Sequence, residues 1–158
     1  MRALHDLALE WAGAHGGSGE WDADLDEIPA IYLDARGEFL VGTVGERVVA
    51  MGALRRVSDT SARITRMRVH PDHQRRGYGR RVLERLERRA AELGYSRLEL
   101  DTTTLQTAAQ ALYASAGYVE TRRSQLGPFT VIEMARTIAR GSAGGEPAAT
   151  ADQRHPDT

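Results

Sequence analysis

The stretch that could do chemistry is Val69-His70-Pro71-Asp72-His73-Gln74-Arg75-Arg76-Gly77-Tyr78-Gly79-Arg80-Arg81. Two glycines one residue apart stand between two pairs of arginines, after an apolar strand pattern and before an amphipathic helix pattern. A helix N-terminus carries unpaired backbone N–H groups and the positive end of the helix dipole. Gly77 and Gly79 have no Cβ, so an anion can approach the backbone closely. Arg75, Arg76, Arg80 and Arg81 add positive charge. Together these features predict a pyrophosphate site. Two common phosphate loops do not fit. A dinucleotide-binding loop needs a third glycine where Val82 stands, and a P-loop needs a lysine.

The chain has no lysine: all 21 basic residues are arginine. It has no cysteine either. A Schiff-base lysine, a thiol nucleophile, a cysteine zinc site and a disulfide scaffold are therefore excluded. His70 and His73 sit three apart with no third ligand nearby and read as turn histidines, so no metal is predicted. Tyr113 lies on an apolar helix face, and by itself that reads as core. Arg122 and Arg123 read as solvent-facing.

The 158 residues, 41% hydrophobic, suit one domain with a proper core. The net charge of -1 argues against a globally basic nucleic-acid binder and against an acidic disordered chain. The charge is uneven. Residues 1–38 hold nine acids and two arginines, whereas residues 63–97 hold eleven arginines and four acids. The basic middle suggests an anionic ligand. The acidic run Glu20, Asp22, Asp24, Asp26, Glu27 leans toward a cationic one. No apolar run approaches the roughly 18 residues of a membrane span, and no signal peptide is visible, so the expectation is a soluble cytoplasmic protein.

The elements that must position the loop follow from periodicity. Leu4, Leu7, Ala8 and Trp11 predict a first helix over residues 2–15. Residues 39–44 and 47–57 predict a hairpin turning at Gly45-Glu46. Residues 64–69 predict a third strand, with Met67 and Val69 on one face and Arg66 and Arg68 on the other. Val82, Leu83, Leu86, Ala90 and Leu93 form one stripe of a helix ended by Gly94. Glu84 stands four before Arg88 on its outer face. A strand over 96–102, a helix over 107–115 ended by Gly117, and strands over 118–124 and 130–138 complete the order. Residues 141–158 read as a disordered tail after a single domain over 1–140. The predicted class is α/β (α+β), a mixed sheet of about six strands with helices on both faces and a central βαβ unit.

Gln74-x-x-Gly77-x-Gly79 after Val69-His70-Pro71 resembles the acetyl-CoA loop of the GNAT superfamily of acyl-CoA N-acyltransferases. Downstream, Leu112-Tyr113-Ala114-Ser115-Ala116-Gly117-Tyr118 resembles the same family's Leu-Tyr-x-x-x-Gly-Phe/Tyr motif. The similarity covers about residues 31–138. It implies a sheet splayed beside the loop, with acetyl-CoA as cosubstrate and no metal. By position, backbone groups at Met67, Arg68 and Val69 would hold the pantetheine arm and acyl carbonyl. Amides at Arg75, Arg76, Gly77, Tyr78, Gly79 and Arg80 would hold the pyrophosphate, and Tyr113 would protonate the departing thiolate.

Three positions depart from the family pattern. The catalytic Glu that many relatives carry before the loop is replaced here by Arg63, which cannot act as a base. In the branch resembling ribosomal-protein N-terminal acetyltransferases, a Glu stands twelve before the tyrosine. That position is Asp101, whose shorter side chain would need a water relay; Glu99 and Glu133 are weaker candidates for the base. The Asn that usually helps hold pantetheine is Gln106. The family's first strand is apparently absent, which would leave the 39–44 strand with an exposed edge, to be paired in a homodimer or covered by the N-terminal segment. The implied activity is acetyl transfer to a primary amine of a small molecule or peptide, weakly favoured as cationic. A non-catalytic acyl-CoA-binding sensor is the alternative, and a nucleic-acid-binding module is a third reading, disfavoured by Glu84, Glu87 and Glu92 on the basic face.

Overall fold

The computed structural model describes residues 20–141, with side chains from residue 23 onward. The expected helix over 2–15 and all but the first residue of the expected tail lie outside the described residues. Gly141, the first of that tail, donates its N–H to the Ala91 carbonyl at 3.1 Å.

Six strands form one sheet in the order β1-β2-β3-β4-β6-β5. They are β1 (Glu38–Val44), β2 (Arg47–Arg56), β3 (Ser61–Val69), β4 (Arg97–Thr103), β5 (Val119–Leu126) and β6 (Phe129–Thr137). All neighbours are antiparallel except β3 and β4, which are joined by helix α1 (Tyr78–Glu92) and run parallel. That pairing spans only Ser61↔Arg97, Ala62↔Leu98 and Arg63↔Glu99. Beyond it the two strands part, so the end of β3 next to the glycine loop stands away from β4. Helix α2 (Thr107–Ser115) follows β4.

Among the described residues, both α-helices pack on one face of the sheet. Val82, Leu83, Leu86 and Ala90 of α1 meet Ala50, Leu54, Ile64, Leu98 and Leu100 in the main core, which Tyr113 and Tyr118 extend. The stripe predicted for α1 is thus its buried face. The two glycines predicted to end the helices do so in left-handed conformation, Gly94 at φ 87° and Gly117 at φ 89°. Glu84 and Arg88 form no ion pair. The helix is tied instead by Glu87 to Arg136 at 2.9 Å and by Arg89 to Glu38 at 3.3 Å.

On the opposite face the acidic run forms a 3-10 helix (Glu20–Asp26), followed by a π-helical turn (Pro29–Leu33). Leu25 packs on Met51, with Phe39 and Val48 alongside. β2 is therefore buried on both faces, which explains its unbroken apolar run. The outer edge of β1 has no partner strand among the described residues, and Val41 there is 48% exposed.

Candidate active site

The parting of β3 from β4 has a local cause. Met51 pairs with Arg68 and Ala53 with Thr65, so Arg66 and Met67 together face Gly52. This is a β-bulge, and Arg66 takes a left-handed conformation at φ 58°. Before it, Ala62 and Ile64 point toward the α-helices; after it, Met67 and Val69 do. Gly52 has no room for a side chain, because a Cβ there would lie 2.6 Å from Val82 and 2.7 Å from the Met67 sulfur.

The gap between the strands opens into a cleft of about 660 Å³. Met67, Arg68 and Val69 form one wall, and His73 to Arg75 with Gly77 to Arg80 form the end. Leu105 to Ser115 form the other wall, with Tyr113 at depth. Gly77 initiates α1 at φ 82°, which turns the chain so that the first amides of the helix face the cleft. Gly79 sits between strand and helix, with Leu112 3.4 Å and Val69 3.5 Å from where a Cβ would be. Arg75 and Arg76 are exposed at the mouth. Arg80 reaches across it and donates to the Ser115 hydroxyl at 2.7 Å.

Every cofactor-binding residue expected from the sequence lines this cleft except Arg76. Gln106 turns its side-chain oxygen back on the chain, accepting from the Thr103 N–H at 3.2 Å and from the Thr102 and Thr103 hydroxyls. Only its amide N–H groups remain to face the cleft. The Arg68 guanidinium donates to its neighbour's carbonyl, Met67 O, at 2.7 Å. The Tyr113 ring is 4% exposed and stacks edge-on against Tyr118 at 6.0 Å. Burial pushes its phenol up to about 12, opposed by the charge of Arg68 and reinforced by that of Asp101. It is a protonated donor throughout the neutral range.

Asp101 lies outside the cleft lining, on the other face of β4, with its side chain half exposed and paired to Arg63 at 3.2 Å. Arg63 also reaches Glu99 at 3.4 Å. Glu133 stands opposite Asp101 in the ladder. The residue replacing the usual base thus bridges two of the three carboxylates that could serve instead.

Several site residues have no signal in the sequence reading. His70 is 6% exposed. It anchors the turn before the loop by accepting the Asp72 N–H at 3.2 Å and facing Arg47 at 2.7 Å. His73 lines the cleft with its ring against Tyr78 at 6.0 Å. Asp24 receives both the Arg66 guanidinium and the Tyr32 hydroxyl. Burial raises the Asp24 carboxyl, but these donors outweigh it and hold the group below the usual carboxylate range. The acidic run therefore loses Asp24 as a free charge for a ligand. Among the described residues, no group of three His, Asp or Glu could hold a metal ion.

A strand that parts from its neighbour beside a glycine-started helix, with a buried tyrosine facing the gap, is the architecture of an acyl-CoA acyltransferase site. The sequence model of the acetyltransferase (GNAT) family matches residues 1–118, and the chain belongs to that family. It is 35% identical to human N-acetyltransferase 8 over 107 residues, 64% of this chain and 47% of that protein. The chain spans about half the length of the curated relatives it matches. The ribosomal-protein-S18-alanine N-acetyltransferase of Escherichia coli superposes with a TM-score of 0.59 at 27% identity, over 70% of this chain and 75% of that one. The yncA protein of Salmonella typhimurium, solved with its cofactor acetyl-CoA, superposes at 0.70 with 19% identity, over 91% of each chain.

Proposed function

We propose that the protein transfers an acetyl group from acetyl-CoA to a primary amine of a small molecule or peptide, by direct attack. The observation that carries this reading is the single cleft that joins the α1 N-terminus, the splayed β3 edge and the Tyr113 hydroxyl. The loop amides from Arg75 to Arg80 hold the pyrophosphate, with Arg75, Arg76 and Arg80 supplying charge. The pantetheine arm pairs along Met67–Val69 as an added strand, and the Gln106 amide donates to it.

The amine must lose a proton before it attacks, because a free amine has a pKa of about 10. Asp101 accepts that proton through water. The nitrogen lone pair adds to the thioester carbonyl, and a β3 backbone N–H stabilises the oxyanion. The C–S bond then breaks, Tyr113 gives its proton to the thiolate sulfur, and the second proton on the newly bonded nitrogen passes through water to the phenolate, leaving the neutral amide. The products are the acetamide and CoA thiol.

Among the described residues, Glu133 has no ion pair while Glu99 and Asp101 are shared with Arg63. This leaves one uncompensated carboxylate in favour of a cationic acceptor. The open β1 edge supports pairing between two copies of the chain. An acetyl-CoA-dependent screen over amino acids, polyamines, aminoglycosides and N-terminal peptides, reading thiol release, tests the activity. Acceptor-dependent thiol is the expected result.

A second reading, an acyl-CoA-binding sensor without turnover, has one observation behind it. Arg63 occupies the usual base position and grips Asp101. Tight acetyl-CoA binding with no thiol release over the whole panel would favour it. Failure to bind acetyl-CoA would exclude both.

A further inference from the structure

We propose that Asp24 and Arg66 form a positioning pair, in which the carboxylate grips the bulge residue and sets the course of the β3 edge that receives the acyl-bearing arm. This rests on the reading of the cleft as an acetyl-CoA site.

Arg66 is the residue at which β3 changes course. Its left-handed φ of 58° is one that L side chains rarely adopt. The conformation turns the Arg66 side chain away from the α-helices and toward the 3-10 helix, where Asp24 meets it. The Arg66 Nε donates to Asp24 Oδ2 at 3.0 Å, and Nη2 donates to Oδ1, so the contact is forked and fixes direction as well as distance. Tyr32, 1% exposed, donates its hydroxyl to the same carboxylate. The two charged side chains are 13% and 14% exposed. Taking a charge pair that far out of water brings little net stability, so its value here is geometric.

The geometry it fixes lies one residue away. Met67 packs against the main core with its sulfur beside Gly52, it lines the cleft, and its carbonyl accepts from the Arg68 guanidinium. If the fork is released, the bulge can relax and the Met67–Val69 edge turns with it. The phosphate loop is anchored separately, through His70, Gly77 and α1. The pair should therefore govern the arm and not the nucleotide.

Calorimetry on the full chain separates the two. Adenosine 3′,5′-bisphosphate probes the loop alone, and acetyl-CoA probes loop and edge together. Asp24→Asn keeps shape and removes charge. Arg66→Gly removes the fork but adopts φ 58° without strain, so it remains foldable where other substitutions would not. Each should weaken acetyl-CoA about tenfold or more while leaving the bisphosphate within twofold. The double variant should be no worse than either single one. Asp24→Glu should recover part of the loss.

Unchanged acetyl-CoA affinity in both variants would overturn the proposal. So would equal weakening of both ligands, or failure of both variants to fold, because either would mark the pair as part of general stability. Wild-type protein that binds neither ligand would instead sink the reading of the cleft.

Discussion

Tyr113 has a hydroxyl facing a cleft and a ring held in the core, so its two roles can be separated. Tyr113→Phe keeps the ring against Tyr118 and removes the proton. The single-turnover rate of acetyl transfer should fall by about 10²–10⁴-fold, with acetyl-CoA affinity and melting temperature close to wild type. A normal rate in a folded variant would leave the residue as core alone. Tyr113, Gly77 and Gly79 were legible in the sequence because each belongs to a short motif whose spacing reports its surroundings. Asp24 was not. Its partners are Arg66 and Tyr32, and no local pattern links an acid in a charged run to an arginine 42 residues on. Nor does spacing show that Arg63 and Asp101 pair, since only the parallel register of β3 and β4 brings them together.

Strands and helices were largely legible as elements, because apolar alternation and the α1 stripe are strong signals and Gly94 and Gly117 end helices for a steric reason. The bulge was harder. Its trace is the spacing Ala62, Ile64, Met67, Val69, with a gap of three in an alternation of two, and the strand reading over 64–69 assigned faces on either side of that gap without registering the break. The 3-10 and π-helical turns have no periodicity to read. Two substitutions test how tightly these elements are fitted. Gly52→Ala would push a methyl into Val82, Met67 and Leu86, moving α1 off the sheet. It should cost about 1–3 kcal/mol in chemical unfolding and weaken acetyl-CoA binding. Gly79→Ala should be tolerated, because a methyl there meets its neighbours at ordinary contact distance. Gly79→Glu should abolish CoA binding in a folded protein, by filling the anion's space with like charge. Calorimetry showing unchanged CoA affinity would contradict this.

Over the whole molecule, burial raises the phenols of Tyr32, Tyr113 and Tyr118. A raised acid pKa means that the folded state holds its proton after the unfolded state has released it near pH 10. Stability is then level below pH 10 and falls as pH rises toward 12, by up to about 1.4 kcal/mol per pH unit for each such group. Denaturant midpoints from pH 8 to 12 should show this, and Tyr113→Phe should reduce the slope. At the acid end the sign reverses. Asp24, held below the usual range, contributes stability at neutral pH that is lost as pH falls through its folded value. No helix among the described residues is long and apolar enough to cross a membrane.

The short parallel pairing of β3 with β4 has a further consequence for how the molecule comes apart. Strands β1 to β3 form an antiparallel meander and β4, β6 and β5 a second antiparallel unit, stitched to the first by three residue pairs. The backbone therefore carries little cooperativity across the middle of the sheet, and the shared side-chain core must supply it. Such a chain should open as two units rather than fray from its ends. Amide exchange under mild denaturant should divide protection at the seam, with each antiparallel unit exchanging as a block. One uniform opening free energy across all six strands would show that the core alone welds the halves into a single folding unit.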